Sequence, residues 1–427
     1  MTPRAAHPLA TTEPATTAEA PDVVRPVLMK GNVAIAEAAI QAGCDAYFGY
    51  PITPQAELLE WMARRMPEEG RVFVQAESEL AAINMALGAA ATGARVLVSS
   101  SSPGISLMAE TMSYMAGSEL PVLLVNVMRG GPGLGSIGPS QSDYFQATKG
   151  HGHGDYRVPV LAPSSHAEAV ELVADGFELA ERYRTPVMLL ADGVMGQAME
   201  PVSPAFRNPP RTSDTWRLSG ADGRPPRVIR SLNLRPEDLE KHNDELEAKY
   251  AAITEREVRW VGEGLEDAEV AIVAYGTAAR IARTAIQRAR EHGLKVGLFR
   301  PVTLWPFPSA ALARAAAGMR GVLVVELSAG QMVEDVRLAI EGAVPVFFHG
   351  RTGGMLPTPA EVLEALRKAW ARTSPRTRPV PPEAGPPDEP DPLSLIEDGA
   401  WLAAGYSLPE PVGAGVGTRP GHTAGRP

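Results

Sequence analysis

The chain has 427 residues, 44% of them hydrophobic, and a formal net charge of −10, so it is long enough for two cores. Its acidic balance, with a pI near 5.4, gives a nucleic acid backbone little to bind. A single cysteine, Cys44, excludes an internal disulfide and any iron–sulfur cluster or cysteine-rich zinc site built from this chain alone. A reducing cytoplasm fits that usage. The longest apolar runs, such as 120–128, fall far short of the roughly 20 residues that cross a bilayer, so no membrane partner is expected.

Residues 1–26 mix Pro, Thr, Ala and Glu without the apolar stretch of a signal peptide, and they read as a disordered lead. Across 27–204, short β-branched runs alternate with alanine-rich helical periods, the pattern of a doubly wound parallel sheet covered on both faces. Strands are expected at 46–50, 72–76, 96–99, 122–127 and 187–191, and helices at 31–42, 54–65, 77–91, 104–116 and 165–182. Residues 205–262 carry prolines, arginines and a charged helical stretch at 236–253 without strand patterning, and read as a connecting insertion. A second α/β unit is expected over 263–373, with strands near 270–275, 295–300, 321–326 and 344–349 and helices at 278–291, 309–316 and 332–340. From 374 to 427 the composition is rich in Pro and Gly, which predicts disorder, with 393–406 a candidate docking segment.

Several segments carry polar residues where strands should end. In GYPITPQ (49–55), Thr53 precedes Pro54, whose fixed φ suits the first position of a helix, so Thr53 is placed to cap it. The same hydroxyl and helix start could face a substrate carboxylate or carbonyl. Glu77 and Glu79 open an alanine-rich helix. They complement its dipole as first-turn acids do, or one of them holds a protonated ring nitrogen at the strand-to-helix junction. Ser99, Ser100, Ser101, Ser102, Pro103 and Gly104 follow another strand; such runs are ordinary turn material, but at the carboxyl edge of a parallel sheet they would line a ligand crevice.

The cluster 130–138 contains a literal G-x-G-x-x-G, yet Pro132 and Pro139 flank it and no helix begins inside it, as dinucleotide binding requires. It reads instead as a flexible cover with Arg129 at its root, either able to grip a carboxylate bidentately or simply exposed. His151 and His153 sit one residue apart in a glycine loop with no evident third ligand, so a polar loop is a better reading than a metal site. The strand-exit segment 300–308, RPVTLWPFP, closes the core or forms a subunit contact.

Taken in order, GYPITPQ (49–55), QAESE (75–79), SSSSPGISLM (99–108), RGGPGLG (129–135), QSDYFQATK (141–149), Gly276–Thr277 and RPVTLWPFP (300–308) resemble the α subunit of the 2-oxoacid:ferredoxin oxidoreductases, nearest the branch acting on 3-methyl-2-oxobutanoate (2-ketoisovalerate). The resemblance spans about 31–350 and implies a thiamine diphosphate enzyme, with a pyrimidine-binding domain at 27–204 and a transketolase C-terminal-like domain at 263–373. In such enzymes one glutamate hydrogen-bonds the aminopyrimidine and promotes deprotonation of the thiazolium carbon. Family spacing puts it nine residues before a helix glycine, as Glu79 stands to Gly88, so Glu79 is the expected catalytic and cofactor-binding residue. By the same carry-over, Ser101, Ser102, Pro103 and Gly104 wall the cofactor pocket, and Thr53 and Arg129 contact substrate.

The Gly-Asp-Gly motif that holds Mg²⁺ and diphosphate in these enzymes is absent. The resemblance therefore implies a β subunit carrying the diphosphate and Mg²⁺ site and a 4Fe–4S cluster, with γ and ferredoxin-like δ subunits. The implied reaction is oxidative decarboxylation of a 2-oxoacid to acyl-CoA and CO₂ with ferredoxin as acceptor, branched-chain substrates first, then 2-oxoglutarate, pyruvate and aryl 2-oxoacids. A β-type E1 chain of a lipoamide-linked 2-oxoacid dehydrogenase and a non-catalytic nucleotide-binding assembly module are the alternatives.

Overall fold

The computed structural model describes residues 25–203, 205–212, 215–373 and 423–425. The expected disordered lead (but for 25 and 26), most of the tail and the docking segment 393–406 lie outside the described residues. In chain order the elements are β1 Val27–Lys30, α1 Gly31–Gln41, β2 Ala46–Gly49, α2 Ala56–Glu68, β3 Val72–Gln75, α3 Glu79–Ala91, β4 Val96–Ser100, α4 Ser102–Gly117 and β5 Val122–Met128. They continue with α5 Tyr144–Lys149, β6 Val160–Leu161, α6 His166–Tyr183, β7 Pro186–Asp192, α7 Gly193–Gln197, β8 Met199–Val202, α8 Pro236–Arg256, β9 Trp260–Glu263, β10 Val270–Val273 and α9 Gly276–Glu291. The last are β11 Val296–Pro301, β12 Thr303–Trp305, α10 Ser309–Ala316, β13 Gly321–Glu326, α11 Met332–Ile340, β14 Val346–Gly350, α12 Pro359–Ala371 and β15 Thr423–Gly425.

The first sheet runs β12-β6-β7-β5-β4-β2-β3 and is parallel except at β12. Its central strand, VLLVNVM, is buried along its whole length, as a strand covered on both faces must be. One face packs on α1, α2 and α6 through Ile35, Leu58, Met62 and Phe177. The other carries α3 and α4, and its cluster continues through Tyr144 and Tyr275 into Phe299 and Val324 of the second sheet. That second sheet, β14-β13-β10-β11-β9-β15, is parallel from β14 to β11 and antiparallel beyond. Its far face is covered by α9 and α12.

Four expectations are corrected. The second helix starts at Ala56, not 54, because a turn closed by the Gln55 N–H on the Ile52 carbonyl (3.1 Å) precedes it; Thr53 is therefore no cap. The third helix starts at Glu79, not 77, because Ser78 takes the cap position and its Oγ accepts the Ala81 N–H at 3.2 Å. The segment 300–308 is no simple exit loop: Arg300 and Pro301 end β11 in the second sheet, and two residues later β12 enters the first sheet antiparallel to β6. Its partner lies far off in sequence and is two residues long, so no local pattern announces it. The region 205–262, read as free of strands, likewise supplies β9 at its end.

Candidate active site

Parallel pairing puts the carboxyl ends of β3, β2, β4 and β5 side by side, with Gly49 opposite both Gln75 and Ser99, and Ser100 opposite Asn126. The segments that follow these strands therefore meet along one edge, where open parallel sheets bind ligands. The floor of this edge is a buried relay: the Tyr47 hydroxyl lies 2.7 Å from Ser99 Oγ, Ser99 Oγ donates to Gln55 Oε1 at 2.8 Å, and Gln55 Nε2 donates to the Tyr50 carbonyl at 3.3 Å. Gly49 is required here, since a Cβ would lie 2.4 Å from the Tyr47 hydroxyl oxygen. The relay ties the 49–55 turn to β4 and so fixes where Thr53 stands.

Glu79 is the first residue of α3 and only 5% exposed, whereas Glu77 is outside the helix and exposed. Among the described residues the Glu79 carboxylate takes no hydrogen bond or ion pair. Gly104, in the first turn of α4, faces it: a Cβ built there would lie 2.6 Å from Glu79 Oε1 and 2.0 Å from Ser100 Oγ. Ser100 Oγ and Ser101 Oγ are buried and have no hydrogen-bond partner among the described residues. A buried polar group left unpaired costs about 1–3 kcal/mol, so a carboxylate and a hydroxyl gathered at Gly104 without partners among the described residues, with a second unpaired hydroxyl on the next residue, are arranged to receive a polar ligand. A flat ring with donor and acceptor edges, such as an aminopyrimidine, fits that set.

Arg129 follows β5 and is 9% exposed. Its Nη1 donates to the Thr53 carbonyl at 3.0 Å and Nη2 to the Leu134 carbonyl at 3.3 Å, while Nε has no partner among the described residues. Thr53 is exposed, and it is its carbonyl that meets Arg129. The glycine cluster is closed on itself by Gly130 N–H to Gly138 O (2.9 Å) and Ser136 N–H to Gly130 O (2.7 Å), and it leaves Leu134 and Ile137 exposed. No helix starts within it; α5 begins only at Tyr144, so the dinucleotide geometry is absent. Pro103 lies at the start of α4, and Ser102 Oγ accepts the Arg129 N–H at 3.0 Å and lies 2.5 Å from Asp143 Oδ2. The structure thus brings Glu79, Ser101, Gly104 and their neighbour Ser100 together, with Thr53, Ser102 and Arg129 along the same edge.

Sequence reasoning gave no individual role to Gln55, Asn126 and Asp143, and named Ser100 only within the serine run. Asn126 carried a readable signal, a lone amide inside an apolar strand. The others become visible only through their partners. QSDYFQATK (141–149), noted in the sequence only as part of the resemblance, is the seam between the two sheets. Gln141 Nε2 donates to the Tyr275 carbonyl (2.9 Å), its Oε1 accepts the Leu327 N–H (3.0 Å), and the Tyr144 hydroxyl donates to Asp335. His151 bonds the Ala147 carbonyl and His153 lies edge-on to Tyr114, so the two imidazoles serve different neighbours. No group of three or more His, Cys, Asp or Glu among the described residues is placed to hold a metal.

Residues 37–252 match the family model described as pyruvate flavodoxin/ferredoxin oxidoreductase, thiamine diphosphate-binding, and residues 268–362 match pyruvate:ferredoxin oxidoreductase core domain II. The chain is 49% identical over 350 residues to the ketoisovalerate oxidoreductase subunit VorB of Methanothermobacter thermautotrophicus, covering 81% of this chain and 99% of that one. It is 34% identical over 382 residues to the 2-oxoglutarate synthase subunit KorA of the same organism, covering 80% and 98%. Among solved structures, the 2-oxoglutarate:ferredoxin oxidoreductase of Magnetococcus marinus superposes with a TM-score of 0.74 at 29% identity, covering 84% of this chain and 68% of that one. A split-gene transketolase shares the fold, with a TM-score of 0.51 at 16% identity, covering 80% and 97%.

Proposed function

The chain belongs to the 2-oxoacid:ferredoxin oxidoreductases, in their ketoisovalerate branch, and we propose that it is the α-type subunit of a complex converting a branched-chain 2-oxoacid, CoA and oxidised ferredoxin to acyl-CoA, CO₂ and reduced ferredoxin. Its first sheet carries a thiamine diphosphate-binding domain. The observation behind the proposal is the Glu79 carboxylate, without a partner among the described residues, facing Gly104 beside the unpartnered Ser100 hydroxyl. In this reading Glu79 holds a proton at the pyrimidine ring nitrogen, where a buried carboxylate works as acid and base. Gly104 leaves room for the Glu79 carboxylate and the Ser100 hydroxyl to lie against the start of α4, and Ser101 and Pro103, with Ser100, wall the ring. The hydroxyl of Ser102 is committed to Arg129 and Asp143, so Ser102 contributes through its place at the helix start. The guanidinium of Arg129 pairs with the substrate carboxylate, and Thr53 borders the same position. The electron sink for decarboxylation is supplied by the bound thiamine diphosphate.

The rest of the machinery lies in other subunits in this proposal: Mg²⁺ and the diphosphate grip with a 4Fe–4S cluster in a β subunit, further carriers in γ and ferredoxin-like δ subunits. Support comes from the single cysteine and the missing Gly-Asp-Gly motif. It comes also from the apolar side chains left exposed around the site, Leu80 and Met85 on α3, Leu107 on α4, and Leu134 and Ile137 on the glycine loop. The domain limits 27–204, 205–262 and 263–373 are retained as part of the proposal, with β12 crossing between the last and the first. No helix among the described residues is long and apolar enough to cross a membrane, which supports a cytoplasmic setting. Similarity to a ketoisovalerate oxidoreductase subunit over 81% of the chain favours this reaction over a lipoamide-linked one.

The test is turnover of the reconstituted complex with Glu79→Ala. Loss of a positioned acid–base group removes about 10²–10⁴-fold in rate, so turnover should fall at least about 100-fold; near-normal turnover overturns the assignment. A panel of 2-oxoacids with a viologen acceptor then ranks the substrates, with 3-methyl-2-oxobutanoate expected first.

A further inference from the structure

Arg129 is held by its backbone as well as by its side chain. Its N–H donates to Ser102 Oγ at 3.0 Å, on the neighbouring strand-to-helix junction. That hydroxyl has one proton and two acceptors within reach, Asp143 Oδ2 at 2.5 Å and the Arg129 carbonyl at 3.3 Å. The shorter contact, to a carboxylate, wins. With its proton so directed, a lone pair of Ser102 Oγ is left for the Arg129 N–H. Asn126 Nδ2 donates to the same Asp143 oxygen at 2.9 Å, fixing the carboxylate from β5. Asp143 is 9% exposed; burial pushes its carboxyl up, and the bonds from Ser102 and Asn126 pull it back without cancelling the rise. Nothing in the proposed chemistry uses this buried acid.

We infer that Asp143 is a positioning residue for the 2-oxoacid: by taking the Ser102 proton it makes Ser102 Oγ the acceptor that sets the backbone of Arg129, and so the place of the guanidinium that meets the substrate carboxylate. The inference rests on the role proposed for Arg129. Asp143 also stands directly before α5, whose Tyr144 bonds Asp335 on α11. The position of the substrate arginine is thereby tied to the seam between the two sheets.

The experiment uses the reconstituted complex with Asp143→Ala, Ser102→Ala, the double variant, Asp143→Asn and Arg129→Ala, measuring KM and kcat for the 2-oxoacid and, separately, thiamine diphosphate affinity by fluorescence titration. A displaced arginine costs binding to substrate rather than to cofactor, since small misplacements cost up to about 100-fold. Asp143→Ala and Ser102→Ala should each raise KM at least about tenfold, with a smaller fall in kcat and thiamine diphosphate affinity within about twofold. The double variant should match the worse single variant, because both break one chain of contacts. Asp143→Asn should recover most of the KM, as its amide oxygen accepts the same two bonds. Unchanged KM in both alanine variants, multiplying effects in the double variant, failure of asparagine to rescue, or a parallel loss of cofactor affinity each overturns the inference. If Asp143→Ala does not assemble, Ser102→Ala carries the same test. Arg129→Ala separates the levels: if it leaves KM unchanged the role proposed for Arg129 falls, and if it alone raises KM only the Asp143 inference falls.

Discussion

A methyl group added at Gly104 would lie 2.6 Å from Glu79 Oε1 and 2.0 Å from Ser100 Oγ, inside van der Waals contact on both sides. Ser100 can turn its hydroxyl away, but Glu79 can yield only by moving its carboxylate out of the position it would need for catalysis. Alanine is otherwise the better helix residue. Gly104→Ala should therefore leave the melting temperature of the chain nearly unchanged while lowering kcat/KM of the complex at least about tenfold, consistent with the sensitivity of such sites to small displacements. Calorimetry and steady-state rates check the two halves separately. The same reasoning explains why Glu79 and Glu77 could not be told apart by residue type: what separates them is the Ser78 cap, which leaves one acid exposed and turns the other inward.

Helix α2 is pinned to its neighbours through Glu57, which receives Lys30 Nζ at 2.7 Å, Asn32 Nδ2 at 2.9 Å and Gln197 Nε2 at 2.7 Å. Burial pushes its carboxyl up, but the bonds from Lys30, its own backbone N–H, Asn32 and Gln197 outweigh that and hold it at about 2. A folded-state value below the ordinary one means the contribution is complete above the ordinary carboxylate range and is lost as the pH falls toward about 2. Denaturation midpoints followed down the acid arm should fall less steeply in Glu57→Gln than in the parent chain. A second joint links the sheets: Arg300 on β11 meets Glu168 on α6 with both Nη atoms, at 3.1 and 2.8 Å, and its side chain is 5% exposed. Breaking a buried pair by removing one partner costs about 3–5 kcal/mol. Glu168→Ala should lower stability by that order in chemical denaturation, because it strands the arginine charge between the sheets.

At the scale of the whole molecule, the buried candidate site lies beneath a face formed by α3, α4 and the glycine loop, on which Leu107 is 54% and Leu134 85% exposed. In the proposed complex this face is the one that a partner subunit covers. The isolated chain should bind thiamine diphosphate far more weakly than the reconstituted complex, as equilibrium dialysis would register. Leu107→Glu should prevent assembly by burying an unpaired charge, while leaving the circular dichroism of the isolated chain unchanged. Size-exclusion chromatography of the mixed subunits reads the outcome, and co-elution of the variant with its partners would show that this face is not the covered one.

The sequence by itself determined the two α/β units and the strand ends at which the polar segments gather, because alternation and turn chemistry are local properties of the chain; the candidates Glu79, Gly104 and Arg129 came from the order of its motifs. Tertiary structure alone decided the rest. Thr53 lost its capping role to a turn closed by Gln55. β12 crossed to pair with two residues about 140 positions earlier in the chain, and Asp143 became the carboxylate that orients Ser102. Each depends on partners brought together by pairing and burial across long stretches of sequence, where no period or propensity marks them. That also explains why the orphaned hydroxyls of Ser100 and Ser101 could not be foreseen: an unpaired group is defined by everything folded around it.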